Sequence, residues 1–285
     1  DSTGHNAYGG TFPNVQPNVC PDSVPVPANL QPSPRPDPEM VIVERMAEGV
    51  YLLGGGPANS YMVEFEDWVA VFDAPINEKR SLAVIEEVVK LVPNKPIRWL
   101  INSHVHFDHI GGLRTYLHIG STIVTHRKNI GMLNRDVLNY RTQGVDPDIT
   151  SLWPPTELAE GYNYEAINEN FVITDNERIL RVYYVQPLGH VQGMLMAYLP
   201  EEKIAFQADL FNTHEPPPAE ATPAMQTFFN QIHRMSLDIE TIAPVFGNPV
   251  PYSEFVEAMG EDARLCETVI SGGAVGMVPC GEIDH

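Results

Sequence analysis

Apolar residues between positions 40 and 259 follow two patterns along the chain. Short apolar segments bounded by turn residues, such as residues 50–53 and 97–101, predict β-strands. Apolar side chains at helical spacing over residues 82–92 predict a helix, which ends before Pro93. The pattern therefore predicts a domain that mixes strands and helices.

Strands also dominate the second half of this region. Consecutive apolar segments between residues 171 and 207 predict four strands in meander order, and residues 241–246 predict another. Helices are predicted over residues 225–235 and 253–259, whereas residues 141–165 have no clear period and are expected to form a long loop. Runs of strands with helices between them favour two sheets packed face to face, with the helices outside.

The two ends of the chain differ from its middle. Nine prolines lie between Pro13 and Pro38, and proline lacks a backbone donor, so residues 1–39 are expected to form an extended arm. Residues 40–260 are expected to form one domain, followed by a C-terminal tail over residues 261–285. The three cysteines, Cys20, Cys266 and Cys280, allow at most one disulfide, and its existence stays open.

Charge and hydropathy exclude several kinds of partner. The 17 Lys and Arg face 37 Asp and Glu, which gives a formal net charge of −20 and argues against binding to nucleic acid or anionic lipid. No apolar run reaches the length of about 18 residues that a membrane-spanning helix needs. The expected partner is a small-molecule substrate, and the oligomeric state stays open. The chain begins at Asp1 without a leader, and export to the periplasm or medium is favoured over a cytoplasmic location.

One polar cluster stands directly after the predicted strand 97–101. His104 and His106 alternate along an extended segment, so their side chains point to the same side and can bind one metal ion. A turn after Phe107 can direct Asp108 and His109 towards a second ion. Imidazole nitrogen and carboxylate oxygen suit zinc, and also iron or manganese.

These residues carry a resemblance to a known family. His104-Val-His106-Phe-Asp108-His109, followed by two glycines, resembles the HxHxDH signature of the metallo-β-lactamase superfamily. The resemblance extends over roughly residues 40–259. It implies an α/β fold, the four-layer αβ/βα sandwich, with the metal site at one edge between two sheets.

The resemblance also implies roles for particular residues. It assigns six metal ligands: His104, His106 and His190 to a first ion, Asp108 and His109 to a second ion, and Asp209 as a bridge between them. Asp108 is also the expected catalytic residue, because it is placed to orient a metal-bound hydroxide and to take part in proton transfer. Asp73 is expected to accept hydrogen bonds near the site and not to bind metal.

One position departs from the family pattern. The last ligand of the family is a His followed by Gly, and Phe246-Gly247 occupies the matching place. Phenylalanine cannot bind a metal, which leaves three alternatives open. Solvent or another side chain, such as His214, completes a weakened second site; or a single ion remains; or catalysis has been lost.

The leading functional hypothesis is a zinc-dependent hydrolase with one or two ions, iron also being possible. Because an Asp at position 209 is similar to the glyoxalase II and lactonase branches, an ester, thioester or lactone is favoured over a β-lactam. Turnover of a β-lactam-like substrate remains compatible with this chemistry. The alternatives are a mononuclear iron dioxygenase similar to persulfide dioxygenases, and a non-catalytic protein with a degraded second metal site.

Overall fold

The structure is a computed structural model. It describes residues 39–138, 147–154, 163–175, 177–186, 188–263, 265–269 and 275–279. The expected N-terminal arm, apart from Glu39, therefore lies outside the described residues. Cys20, Cys280 and the side chain of Cys266 lie outside them too.

The first half of the chain forms a seven-stranded sheet in which neighbours along the chain are neighbours in space. Its strands are β1 (Ile42–Ala47), β2 (Val50–Gly54), β3 (Ser60–Glu64), β4 (Val69–Phe72), β5 (Ile97–Ile101), β6 (Thr122–His126) and β7 (Tyr164–Ile167). Strands β1 to β4 pair antiparallel, and β4 to β7 pair parallel. The carboxyl ends of β4, β5 and β6 therefore meet at one edge of the sheet.

Helices follow the parallel strands of this sheet. They are α1 (Glu78–Leu91), α2 (Phe107–Ile110), α3 (Leu113–His118) and α4 (Ile130–Met132). Helix α1 begins where the Asn77 side chain accepts a hydrogen bond from Arg80 N at 3.0 Å, and it ends just before Pro93. The prediction from apolar spacing over residues 82–92 is confirmed.

The second half forms a six-stranded sheet in the order β13-β12-β11-β10-β9-β8. Its strands are β8 (Asn170–Thr174), β9 (Ile179–Tyr184), β10 (Leu195–Leu199), β11 (Ile204–Gln207), β12 (Thr241–Pro244) and β13 (Val250–Pro251). The four predicted meander strands correspond to β8 to β11, and the helices α6 (Pro223–Arg234) and α7 (Tyr252–Met259) match their predicted places.

Three apolar cores separate four layers. The core between the sheets includes Phe72 and Phe206, whose ring centroids lie 6.0 Å apart. A second core packs Val88 of α1 against the first sheet, and a third packs Phe228 of α6 and Phe255 of α7 against the second. Burial of apolar surface on both faces of each sheet stabilises this arrangement. The predicted four-layer α/β sandwich is confirmed.

The prediction of a long loop over residues 141–165 is wrong in part. A one-turn helix, α5 (Ile149–Leu152), lies within it, and β7 begins at Tyr164. Both elements depend on contacts that a local pattern does not contain: Asp148 pairs with Arg114 of α3, and β7 pairs with β6. The expected C-terminal tail also contains an antiparallel hairpin, β14 (Leu265–Val269) with β15 (Val275–Pro279).

None of the helices in the described ranges has the length and apolarity that crossing a membrane requires.

Candidate metal centre

The polar residues singled out in the sequence come from turns at the ends of strands in both sheets. Asp73 follows β4, and the segment from His104 to His109 follows β5 and enters α2. His190 lies between β9 and β10, and Asp209 follows β11. The fold thus brings residues that are about a hundred positions apart in sequence to one edge between the sheets.

Four of the six predicted ligands converge. One donor atom from each of His104, His106, His190 and Asp209 lies within 4.8 Å of the others. The His104 Nε2 atom is 3.0 Å from His106 Nδ1, and Asp209 Oδ2 is 3.3 Å from His104 Nε2 and 3.1 Å from His190 Nε2. Within the described ranges of the chain, this is the group of His, Cys, Asp and Glu donors that is arranged to hold a metal ion.

Asp209 sits in a strained turn that one side chain holds in place. Its φ of 58° lies in the left-handed region, which a non-glycine residue adopts at an energetic cost. The buried Gln207 accepts hydrogen bonds from Leu210 N at 3.0 Å and Phe211 N at 3.2 Å, and donates to Phe211 O at 2.5 Å. These bonds fix the backbone on both sides of Asp209 and hence the direction of its carboxylate.

Asp73 organises the other side of the centre, as predicted from its place in the sequence. It is fully buried and accepts hydrogen bonds from Ser103 N at 3.0 Å, Ser103 Oγ at 2.8 Å and His109 Nδ1 at 2.6 Å. Because His109 donates through Nδ1, its Nε2 atom faces Asp209 Oδ2 at 3.2 Å. Among the described residues, no acceptor meets this buried Nε2 with hydrogen-bond geometry.

The local charges separate two kinds of histidine. Burial lowers the pKa of both His104 and His106, and a neighbouring histidine in each case adds to the effect, so both imidazoles are neutral at pH 7. Burial also lowers the pKa of His109, but the carboxylates of Asp73 and Asp209 outweigh it and raise that pKa to about 10. Burial raises the pKa of Asp209, but the imidazoles of His104 and His109, whose Nε2 atoms lie 3.3 and 3.2 Å from its Oδ2, outweigh it and hold that pKa well below the usual range.

Asp108 and His109, the predicted ligands of a second ion, do not belong to the four-residue group. The Asp108 carboxylate is 54% exposed, and its Oδ2 lies 3.9 Å from His109 Nε2. The ring of Phe246 stands nearly perpendicular to the His109 ring, with centroids 5.3 Å apart. His214, the candidate replacement ligand, packs its ring against Phe246 at 5.8 Å. An apolar ring therefore adjoins His109 at this side of the centre.

The donor set fits a divalent cation. Neutral imidazole nitrogens and an ionised carboxylate are the ligands that zinc, iron and manganese bind in proteins. His104, His106 and His190 supply the nitrogens, and Asp209 supplies an oxygen held among them. The donors are also close enough together to share one ion: His104 Nε2 lies 3.0 Å from His106 Nδ1, and the ring centroids of His106 and His190 are 4.6 Å apart.

Sequence reasoning did not identify several residues that shape the centre. Ser103 and Gln207 are common polar residues without a motif of their own, and they act through contacts made by the fold. Asn59, in the β2–β3 loop, donates from Nδ2 to Pro244 O at 3.1 Å and to Gly247 O at 2.5 Å, so it holds the segment that carries Phe246. The position of Asn59 just after the glycine-rich turn at residues 54–56 is the sequence feature that could have identified it.

Two face-to-face sheets, with histidines and an aspartate at their shared edge, define an αβ/βα sandwich with a candidate metal site. The sequence model of the metallo-beta-lactamase superfamily matches residues 53–252. The chain belongs to the metallo-beta-lactamase superfamily.

Solved structures share this fold at low sequence identity. A metallo-beta-lactamase from Pontibacter korlensis is 15% identical with a TM-score of 0.58, and the match covers 77% of this chain and 97% of that one. The metallo-beta-lactamase FIM-1 from Pseudomonas aeruginosa, in its mono-zinc form, is 20% identical with a TM-score of 0.58, over 79% of this chain and 95% of that one.

A sequence relative matches more locally. A linear primary-alkylsulfatase from a Pseudomonas species is 35% identical over 57 residues. The match covers 20% of this chain and only 8% of the length of that relative.

Proposed function

We propose that the protein is a zinc-dependent hydrolase that cleaves a small ester, thioester or lactone. The observation that carries the proposal is the convergence of donor atoms from His104, His106, His190 and Asp209 within 4.8 Å. A bound zinc ion supplies Lewis acidity, which makes water a stronger acid and polarises a carbonyl oxygen. Family membership supports this class of chemistry.

The side chains at the centre have distinct roles in this proposal. His104, His106 and His190 hold the ion through imidazole nitrogens, and Gln207 keeps the Asp209 carboxylate directed at the same place. The half-exposed Asp108, whose Oδ2 lies 3.9 Å from His109 Nε2, orients the attacking water and accepts its proton. The buried His109 remains hydrogen-bonded to Asp73.

The proposal includes a single ion. A second ion would have Asp108, His109 and Asp209 as its side-chain donors. It would need a further ligand, and the apolar ring of Phe246 adjoins His109 instead. His214 contacts Phe246 and lies 3.7 Å from Glu215. Neither residue is needed for the first group, since the three imidazoles would hold a zinc ion and leave a position open to water, with the Asp209 carboxylate beside it.

The substrate class follows from Asp209 and from charge. A carboxylate in this place supports ester, thioester or lactone cleavage by similarity to the glyoxalase II and lactonase branches. The net charge of −20 disfavours polyanionic substrates. The local match to an alkylsulfatase adds primary alkyl sulfates to the substrates that deserve a test.

The test compares metal-free protein with protein reloaded with zinc, manganese or ferrous iron. The assay covers a panel of esters, thioesters, lactones, a β-lactam and a primary alkyl sulfate. We expect zinc to restore hydrolysis of an ester, thioester or lactone. Asp108→Asn is expected to lower kcat by about 10² or more while the bound metal is retained. Asp136→Asn, on the exposed surface, is the matched control and is expected to change neither.

Two other outcomes identify the alternative functions. Iron-dependent oxygen uptake with a persulfide would support the dioxygenase and contradict the hydrolase. Absence of bound metal and of turnover across the whole panel would indicate a non-catalytic protein of this fold. Export remains a further proposal, which cell fractionation can test.

A further inference from the structure

We infer that Asn102, Thr125 and Asn129 act as positioning residues that couple the segment carrying His190 to the segment carrying His104. The inference rests on the proposed function, because it concerns the same metal centre. The three side chains form a continuous chain of hydrogen bonds beneath that centre, and none of them belongs to the donor group.

The chain of bonds begins at the first sheet. Asn102, directly after β5, donates from Nδ2 to the backbone oxygen of His104 at 2.7 Å. Its Oδ1 accepts a hydrogen bond from Thr125 Oγ1 of the neighbouring strand β6 at 3.1 Å. The Asn102 amide group is thus held in one orientation, with its donor directed at a backbone oxygen of a ligand residue.

The same chain continues to the second sheet. Asn129 donates from Nδ2 to Thr125 Oγ1 at 3.2 Å and to Gly193 O at 2.9 Å. Gly193 lies three residues after His190, in the segment that leads into β10. A second, direct link runs beside it, because Leu195 N donates to Ser103 O at 2.7 Å.

The Gly193 end of the chain fits tightly. Gly193 has a φ of 82°, and a Cβ atom built on it would lie 2.3 Å from Asn129 Oδ1. Any other residue would be strained at this φ and would displace the Asn129 side chain. Asn129 therefore sits directly against the backbone that follows His190.

The three side chains are buried, which makes their hydrogen bonds costly to break. The exposed fractions of Asn102, Thr125 and Asn129 are 1%, 0% and 1%. A buried amide or hydroxyl is costly when unpaired, so this series of hydrogen bonds resists changes in the distance between the two backbone segments that it joins. It joins the backbone at His104, which follows β5 of the first sheet, to the backbone after His190, which leads into β10 of the second sheet. The side chains thus set the separation of two of the donors that the ion requires.

The experiment removes one hydroxyl and measures metal binding. Thr125→Val keeps the shape of the side chain but cannot bond to Asn102 or Asn129. We expect the dissociation constant for zinc to rise about tenfold and the visible spectrum of the cobalt(II) form to change. Thr125→Ser retains the hydroxyl and is expected to restore both properties.

Ser121→Ala is the matched control. Ser121 is 1% exposed and donates to Ile97 O at 2.6 Å, at the opposite end of β5, so the variant loses a buried hydroxyl bond far from the donor group along the strand. We expect a lower melting temperature but a zinc dissociation constant within about twofold of the original. Equal zinc affinity in Thr125→Val and the unmodified protein would overturn the inference, as would an equal loss in Ser121→Ala.

A second variant covers the case in which Thr125→Val does not fold. Asn129→Ala cuts the bond to Gly193 and leaves the Thr125–Asn102 bond in place, and the same rise in the zinc dissociation constant is expected. Failure of the proposed function gives a different result: the unmodified protein would then bind no metal or bind it without turnover. If the unmodified protein binds zinc and both variants bind it equally well, the inference alone fails.

Discussion

We expect the number of bound metal ions to depend on Phe246. Its ring lies edge to face against His109, at a centroid distance of 5.3 Å, and is held there by the Asn59 bonds to the neighbouring backbone. An aromatic carbon edge offers no lone pair. The same position occupied by imidazole would add a nitrogen donor next to His109.

The substitution Phe246→His is therefore expected to raise the ratio of bound zinc to protein from one towards two. Phe246→Leu, which keeps the position apolar, is expected to stay at one. The measurement is elemental analysis after equilibrium dialysis against zinc. A ratio of one in Phe246→His would show that residue 246 is not at a ligand position.

We expect the hydrogen bonds of Asp73 to contribute to the stability of the fold. Asp73 is fully buried and accepts three hydrogen bonds, including one from His109. Asp73→Asn removes the charge that His109 pairs with and replaces one acceptor by a donor. We expect the metal-free variant to lose about 3 kcal/mol of unfolding free energy, measured by urea denaturation.

The control for that measurement is Asp108→Asn. This carboxylate is 54% exposed, so its replacement is expected to change the unfolding free energy by less than about 0.5 kcal/mol. Equal losses in the two variants would contradict the structural role assigned to Asp73.

Individual site residues could be predicted from the sequence where they belong to a compact motif. The spacing from His104 to His109 identified the cluster because strand geometry alone places His104 and His106 on one side. Gln207, Ser103 and Thr125 could not be identified, because each acts on a residue or backbone group through a contact that only the folded chain creates.

Helices and strands, too, could be predicted where a local pattern defines them and not where they depend on distant contacts. Helix α1 and strand β5 were predicted from their own patterns, since apolar spacing and the breaker Pro93 define them locally. Helix α5 was missed. It has a single turn, and it depends on an ion pair between Asp148 and Arg114 and on a bond from Ile149 N to Glu78 Oε1 at 2.6 Å.

The Asp148–Arg114 pair gives a prediction about pH. Burial raises the pKa of Asp148, but hydrogen bonds from Arg114 and Ser151 outweigh it and hold the pKa below its usual value of 3.8. The stabilisation is therefore present above about pH 4 and is lost as the pH falls through the lower pKa of the folded state. Asp148→Asn keeps an N-cap side chain and removes only the charge.

We expect Asp148→Asn to cost about 1 kcal/mol at pH 7, because the pair is partly exposed and therefore screened. The difference from the unmodified protein is expected to shrink below about pH 4. Urea unfolding between pH 3 and 7 measures it, with the exposed Asp136→Asn as control. A difference that does not depend on pH would mean that the charge is not its cause.

At the scale of the whole molecule, the fold class could be predicted because runs of strands with helices between them admit few packings. The prediction of two sheets with outer helices needed only the binary pattern of apolar positions. The pairing of β7 with β6 was not predicted, since pairing partners distant in sequence leave little local signal. The C-terminal hairpin was not predicted either, although its two strands are close in sequence.

The net charge of −20 also acts on the whole molecule. Repulsion is expected to slow the encounter with anionic substrates at low salt, whereas neutral substrates are unaffected. Raising the ionic strength from about 0.02 M to about 0.2 M is expected to increase kcat/KM several-fold for a dianionic ester and to leave its neutral analogue unchanged. The same salt response for both esters would contradict this role of charge.

The most direct test of the central claim is a zinc titration of the metal-free protein, with bound zinc and hydrolysis of an ester, thioester or lactone measured on the same samples. We predict that activity rises in proportion to the first equivalent of zinc and then stays constant. Activity that requires a second equivalent would contradict the single-ion site, and saturation with zinc without any turnover would contradict the assignment as a hydrolase.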